Sequence, residues 1–544
     1  MKEIQAMYPS EDGNAEKRDQ IIHYIRQLLE GVDEKKNPEK LTLGQGAEQD
    51  DRFYENLSER AEIPLNRQSI EKVIEELTEL AEGHRFVNSR YVANAAPLPN
   101  IPSILGNLTM VLLNGNNLWD VEGSAAAAAE VKITSMLSKL VGYDPSESGG
   151  YTTWGGQGAV FQSLRLAIAR RFPDSNKTGL PGKLYCFCSE LSHYSLYKAV
   201  EATGIGTDHL IRVETKEDHS MDLEDLKHKM NTVIKQGGIP VYVLASTGTT
   251  DTFGIDSVES IKNVTEEIER LYGLDPVYIH ADSAMGGMYT FFNAYDFDAN
   301  PLCFDKDTAV VLRDYQTKFR QLSLADSMVF DFHKLGQTPY TSSLFLIKDK
   351  RLLGAVDLEH DETPYVGNRS YGSYHTGYTL ECSRMGSSLA IYASLTGMGI
   401  EGYQKVLGNY ITVNLAFRKE LSEKVPCAVM TNAPSPVTTF RIYPERVSWG
   451  DERCGKMTAA ELDEVNGFNA EFADYIGHRR EEFYFGSTSK QRLVPACDSD
   501  ERTAVYAHKF FAISPYTTLE KVEEYVDFLA GSVEMFKKEY MHTV

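Results

Sequence analysis

Five stretches of the chain place reactive side chains at positions suited to chemistry. Lys334 follows the apolar run SMVFDFH (327–333), with His333 beside it. An amine at a strand end, partly withdrawn from water, can attack an aldehyde and hold it as a Schiff base. Asp282 closes the apolar run VYIHAD. A carboxylate there is costly unless it meets a partner such as a protonated ring nitrogen. His193 follows Ser189-Glu190-Leu191-Ser192 at a strand-to-helix junction, where an imidazole can stack on a flat ring. TWGGQGAVFQSLRLA (153–167) is a glycine-rich turn entering a helix. Its open N–H groups and the helix dipole can hold a phosphate, although it matches neither G-x-G-x-x-G nor the lysine-bearing P-loop. Ser246 opens a hydroxyl-rich turn, STGTT, after another apolar run. Singly, each has a plain structural explanation: a solvated loop lysine, an internal ion pair, a helix-start histidine, an ordinary turn. Their order along the chain joins them.

These residues need a frame, and the hydrophobic pattern supplies one. Apolar runs at 183–189, 210–215, 240–246, 276–284, 327–333 and 342–349 read as strands. Helical patterns at 193–204, 221–237 and 257–273 alternate with them. Such alternation implies a parallel or mixed sheet with helices on both faces, and ligands in that architecture lie beyond the carboxyl ends of the strands. An alanine-rich stretch leads into a helix ending near Gly142, and a long helix is expected over 384–399. Residues 1–80 are polar with helical spacing, 84–118 are rich in Pro, Asn and apolar residues, and the tail beyond about 400 reads as a smaller α+β region.

Composition narrows the function classes. The 544 residues carry a net charge of -23, with 42% apolar and 24% charged residues. That is globular usage in a chain too long for one core, and an acidic surface disfavours nucleic acid as a partner. Seven cysteines without C-x-x-C pairs point to free thiols in a reducing compartment and to no metal site. No secretory h-region opens the chain, and no run reaches the ~20 apolar residues of a membrane span. The expected setting is cytoplasmic, without a membrane partner.

The ordered set resembles the group II decarboxylases of L-amino acids that depend on pyridoxal 5′-phosphate (PLP). HADSAMGG (280–287) is similar to the family's H-x-D-x-A-x-x-G, DFHK (331–334) to its Asn/Asp-x-His-Lys, and ASTGTT (245–250) to its A-T-x-G-T-T turn. SHYSLYKAVEATGIG (192–206), NNLWDVEGS (116–124) and ECSRMGSSLAIYASL (381–395) resemble further family segments, the last giving Arg384 a structural role. HKLGQTPYTSSLFLIKD (333–349), SRYVAN (89–94) and the chain length are most similar to the bacterial tyrosine decarboxylase branch. Gln157 stands where the family usually has Ser or Thr, and Asn94 where the tyrosine branch tends to have His.

The resemblance implies an α/β, fold-type I PLP-dependent transferase-like fold with a central mixed seven-stranded sheet. Residues 1–100 would be an N-terminal helical segment that helps dimerise, 101–400 a large PLP-binding domain, and 401–544 a small C-terminal α+β domain. It makes Lys334 the PLP anchor, Asp282 the partner of the ring nitrogen and His193 the stacking residue. His333, Gly156 and Gln157 would contact phosphate, with Ser246 and Ala284 also lining the cofactor. Arg90, Tyr91 and Asn94 would lie near substrate. In the segment 363–379, rich in Gly and Tyr, Tyr374 and then Tyr371 are the candidates to return a proton after CO₂ leaves. The implied activity is decarboxylation of an L-amino acid, aromatic and tyrosine-like, in a homodimer. The alternatives are an acidic amino acid (aspartate, glutamate or a sulfonate or phosphonate analogue), another PLP lyase on the same fold, or a non-catalytic scaffold.

Overall fold

The computed structural model describes residues 1–45, 52–358, 362, 374–444 and 447–543. They fall into two compact units: residues 1–91 with 475–484, and 92–474 with 485–544. In the first, helices α1 (Ala15–Asp33) and α2 (Ile70–Leu80) pack on one another. Each starts on a side-chain cap, Asn14 accepting from the N–H groups of Glu16 and Lys17, and Ser69 from that of Lys72. Both helices keep apolar side chains in the open, among them Ile22, Leu29, Leu77 and Leu80.

The second unit is built on a seven-stranded sheet. Its strands are β1 (Gly149–Thr153), β2 (Leu184–Ser189), β3 (Leu210–Val213), β4 (Ile239–Ser246), β5 (Tyr278–Asp282), β6 (Ser327–Asp331) and β7 (Ser343–Ile347). Their order is β1-β7-β6-β5-β4-β2-β3, with β7 antiparallel to both neighbours and the rest parallel. This is the mixed sheet that the alternating pattern implies. The strands read as unbroken apolar runs because residues such as Val243, Ile279, Val329 and Phe345 are buried on both faces.

The helices that matter for the site are α3 (Ile101–Leu113), α4 (Asp120–Val141), α5 (Gly156–Arg171), α6 (Ser195–Ala202), α7 (Leu223–Lys235), α8 (Val258–Tyr272), α9 (Lys306–Phe319) and α10 (Ser388–Lys424). Helix α3 has no counterpart in the sequence reading, because a helix apolar on most sides lacks the amphipathic period that marks helices. Asn100 caps it, Pro102 fits its first turn and Asn114 ends it in the left-handed conformation. Helix α10 outruns the expected 384–399: Gly399 breaks it at φ 60, ψ -178, and a second arm continues to Lys424.

The segment 401–544 carries that second arm and an antiparallel sheet of its own. The sheet includes β8 (Ala428–Met430), β9 (Val437–Ile442), β10 (Tyr484–Thr488) and β13 (Ala507–Phe511), in the order β10-β13-β9-β8, and a separate hairpin is made of β11 (Leu493–Ala496) and β12 (Ser499–Ala504). All but its residues 475–484 cluster with the large sheet in one compact unit.

A buried ion pair ties α4, β1 and the start of α10 together. Arg384 donates to both carboxylate oxygens of Glu130, at 2.9 and 2.7 Å, and to the carbonyls of Asn117 (3.0 Å) and Thr152 (3.1 Å). Glu130 also takes the Thr152 N–H at 2.7 Å. Removing one partner of such a pair strands the other charge, so Arg384→Leu should destabilise the chain by about 3–5 kcal/mol. Chemical denaturation measures this, and a loss below about 1 kcal/mol would refute the latch.

Candidate active site

The parallel strands end on one rim. Hydrogen-bonded register pairs Ser246 at the end of β4 with Asp282 at the end of β5, and Asp331 at the end of β6 with Ser343 at the start of β7. His193 lies just past β2, between Ser189 and the start of α6, and Lys334 three residues past Asp331. The fold thus brings together Lys334, Asp282, His193, Ser246 and His333 from separate stretches of sequence.

Lys334 is partly buried, and its Nζ lies 2.9 Å from Oδ2 of Asp331. Burial by itself would lower this amine. The Asp331 carboxylate, helped by Asp282, outweighs burial and holds the amine above its ordinary range. Partial burial alone would help free the amine of its proton, and the adjacent carboxylate reverses that effect. Asp282 is raised by burial against the pull of Lys334 and His193. It accepts a long hydrogen bond from the Ala284 N–H at 3.3 Å. His193 is lowered chiefly by loss of water, with Asp282 pulling the other way. Its Nδ1 accepts the Ser195 N–H at 3.2 Å, which leaves any ring proton on Nε2.

The glycine-rich turn has the form expected of an anion cradle. Gly155 takes φ 106, a conformation that favours glycine, and α5 starts at Gly156 with no side-chain cap. A Cβ on Gly156 would stand 2.9 Å from Oδ2 of Asp331, so the turn lies against that carboxylate. Gln157 donates its side-chain amide to the Ser195 carbonyl at 3.0 Å, which ties the turn to the His193 segment. The His333 backbone N–H donates to the Ser342 carbonyl at 3.3 Å, the Ser342 N–H donates to His333 Nδ1 at 3.2 Å, and the ring lies tilted 4.4 Å from that of Tyr340.

Other predicted residues are placed differently. Arg90 and Tyr91 belong to the first unit, where Arg90 donates to the Glu482 carbonyl at 3.3 Å and lies over the Phe483 ring. Asn94, in the second unit, accepts from Lys509 at 3.0 Å. Tyr374 is not turned to Lys334: its N–H is bound by Asp120 and its hydroxyl by Glu130, so the ion-pair latch holds it. Tyr371 lies outside the described residues.

Several supporting residues escaped sequence reasoning. Tyr403 and Tyr410, on the second arm of α10, hold the turn after Lys334: the Tyr403 hydroxyl donates to the Gly336 carbonyl at 3.2 Å, and Gln337 donates to the Tyr410 hydroxyl. Buried Lys509 bridges Asn94 and Asp251. Buried Asp256 accepts the N–H groups of Ser246 (2.7 Å) and Met221 (2.6 Å). Ser246 in turn shares a 2.7 Å hydrogen bond with Ser192, next to His193. A cavity of about 400 Å³ opens beside His193, lined among others by Ser192, Arg212, Thr249 and Asp251. Among the described residues no group of His, Cys, Asp or Glu has the arrangement of a metal site, and no helix is long and apolar enough to cross a membrane.

Comparison with known proteins identifies the frame. The sequence model of the pyridoxal-dependent decarboxylase conserved domain matches residues 55–299 and 307–443, well over half of the chain. The chain belongs to that family. The L-2,4-diaminobutyrate decarboxylase of Acinetobacter baumannii is 23% identical over 365 residues, 63% of this chain and 65% of that protein. The L-tyrosine decarboxylase of Enterococcus faecium is 27% identical over 260 residues, 43% of this chain and 40% of its own length. The chain therefore spans less than two thirds of these relatives. Among solved structures, that of Oryza sativa TDC with PLP and tryptamine superposes with a TM-score of 0.75 at 17% identity, covering 97% of this chain and all of the other. At that identity the likeness is one of fold.

PLP is the group this family requires, and the residues present fit it. A half-satisfied, half-buried Asp282 suits a ring N–H, the uncapped α5 start suits a phosphate, and Lys334 supplies the amine.

Asp256, behind Ser246, gives the stability a pH signature. Burial pushes its carboxyl up to about 7 despite the two backbone N–H bonds, whereas an unfolded aspartate titrates near ~3.9. Between those values the folded chain keeps a proton that the unfolded chain has released, so stability falls as pH rises through the window. Asp256→Asn should flatten that part of the stability–pH curve. An unchanged slope in urea melts across the window would refute the assignment.

Proposed function

We propose that this chain is a PLP-dependent carboxy-lyase that converts an L-amino acid, aromatic and tyrosine-like, to its amine and CO₂. The observation that carries the reading is the convergence of Lys334, Asp282 and His193 on one rim of the parallel sheet beside the uncapped start of α5. When bound, PLP supplies an electron-withdrawing ring that accepts the electrons left by the departing carboxylate. Lys334 anchors the cofactor. Asp282 keeps the ring nitrogen protonated, and His193 covers the ring face with its proton on Nε2. The N–H groups at Gly156 and Gln157, with His333 nearby, hold the phosphate. Ser246 and Ala284 would help line the cofactor site.

A proton must then reach the substrate carbon. For Tyr374 to deliver it, its hydroxyl must leave Glu130; Tyr371 is the other candidate on the same segment. The aromatic preference is supported by the segments shared with the tyrosine branch. It is also supported by Arg90, the candidate partner for an acidic side chain, which is already engaged by Glu482 and Phe483.

The protein should act as a homodimer in the cytoplasm. Helix α3 packs one side on α10, where a Cβ on Gly106 would be 2.4 Å from the Leu389 carbonyl. Its outer side leaves Ile101, Leu105, Val111, Leu112 and Leu113 more than half exposed. An exposed apolar face of this kind suits a second copy.

Two experiments test the proposal. Purified chain mixed with PLP should gain a visible absorbance band and release CO₂ from L-tyrosine, and Lys334→Ala should lose both. CO₂ from aspartate or glutamate alone would overturn the aromatic preference, and no band in the unaltered chain would overturn the cofactor site. In sedimentation, the unaltered chain should run as a dimer and a Leu105→Lys, Leu112→Lys variant as a monomer. A variant that stays dimeric would refute the α3 interface.

A further inference from the structure

We propose that Asp331 is the counter-ion of Lys334 in the cofactor-free chain, a positioning residue whose carboxylate must release the lysine before PLP can be captured. The proposal rests on the reading of Lys334 as the anchor.

The geometry gives Asp331 three partners and one neighbour. Its Oδ2 is 2.9 Å from Lys334 Nζ and 3.7 Å from His333 Nε2, and its Oδ1 accepts the Ser343 hydroxyl at 2.6 Å. The neighbour is the first residue of α5, since a Cβ on Gly156 would lie 2.9 Å from Oδ2. One buried carboxylate thus stands against both the reactive amine and the phosphate cradle.

Two consequences follow from elementary chemistry. An amine condenses with an aldehyde only as the neutral base: the C–N bond forms, the carbonyl oxygen leaves as water, and the ammonium must first give a proton to solvent or a base. A carboxylate 2.9 Å away favours the ammonium and so opposes that first step. The same charge repels a phosphate arriving at α5. Once the amine is consumed, Asp331 keeps its Ser343 hydrogen bond, with the His333 ring 3.7 Å away.

The surrounding groups agree with this assignment. Around Lys334 stand Asp331 from β6, Asp282 from β5, Tyr340 from the following turn and His193 from the β2–α6 junction. Of the two carboxylates, Asp331 acts more strongly, and its Oδ2 also accepts the hydrogen bond from the lysine. Asp331, though buried, is held below the usual carboxylate range by Lys334, His333 and Ser343.

The test uses the full chain freed of cofactor and follows the visible band after PLP is added, as a function of pH. Asp331→Asn, which keeps the shape and removes the charge, should move the midpoint of the rate–pH profile down by at least about one unit, roughly tenfold faster capture at a fixed pH below it. Asp331→Glu, which keeps the charge, should stay with the unaltered chain. An unmoved or raised midpoint in Asp331→Asn overturns the proposal.

A second measurement needs no variant. The unaltered cofactor-free chain is treated with pyridoxal, which lacks the phosphate, and cyanoborohydride, and modification of Lys334 is read by peptide mass spectrometry against pH. A midpoint above the ordinary lysine value of about 10.4 supports the pairing, and one at or below it overturns it. Absence of both band and Lys334 labelling in the unaltered chain would instead overturn the anchor reading, and this proposal with it.

Discussion

The site depends on the in-register hydrogen bonding of parallel strands β2, β4, β5 and β6, which carries four strand ends to one rim. Carbonyls and amides in the middle of such a sheet have no water to turn to, so each must meet its neighbour, and register is fixed by the two-sided burial of the strands. Ser246 and Asp282 are opposite each other for this reason and not through any attraction between their side chains. Whatever is placed just beyond the rim inherits that precision, and Lys334 and His193 are placed there.

The rim is also where charge accumulates. Lys334, Asp331, Asp282 and His193 all influence one another's titration in surroundings that burial makes unfavourable for any single charge. The chain resolves this by pairing the amine with Asp331 while leaving Asp282 poorly satisfied, with one long hydrogen bond from Ala284. A site that is content with its own charges has little to offer a ligand, and the unmet demand here lies at Asp282. The Glu130–Arg384 pair deals with the same difficulty at the other edge of the sheet, by closing on itself and on neighbouring carbonyls.

Much of this was legible in the sequence because the central strands are buried on both sides and read as plain apolar runs. Lys334, Asp282 and His193 could be picked out because each stands at the end of such a run, where a polar residue is conspicuous. What the sequence withheld has physical causes too. Helix α3 is apolar around most of its circumference and so lacks a period to read. The supports of the Lys334 turn, Tyr403 and Tyr410, lie far along the chain and are two among 30 tyrosines. Asp331 was visible only as part of DFHK, and its effect on the lysine required a distance. Tyr374 stands in a Gly- and Tyr-rich stretch of sequence, but its hydroxyl goes to Glu130, more than 200 residues earlier.

The break at Gly399 reaches furthest into the architecture. Its φ of 60 and ψ of -178 lie in a region open essentially to glycine alone. Before the break, α10 lies against α3 and α4 through Gly397, Leu389 and Ser388. After it, Tyr403 and Tyr410 grip the lysine turn, and Phe417 stacks on Phe510 of the C-terminal sheet at 3.9 Å. A straight rod has one axis and could follow only one of these courses. With the bend, a single stretch of helix becomes a bracket with two arms, so the angle at one residue sets the bearing of the exposed α3 face relative to the turn that carries Lys334.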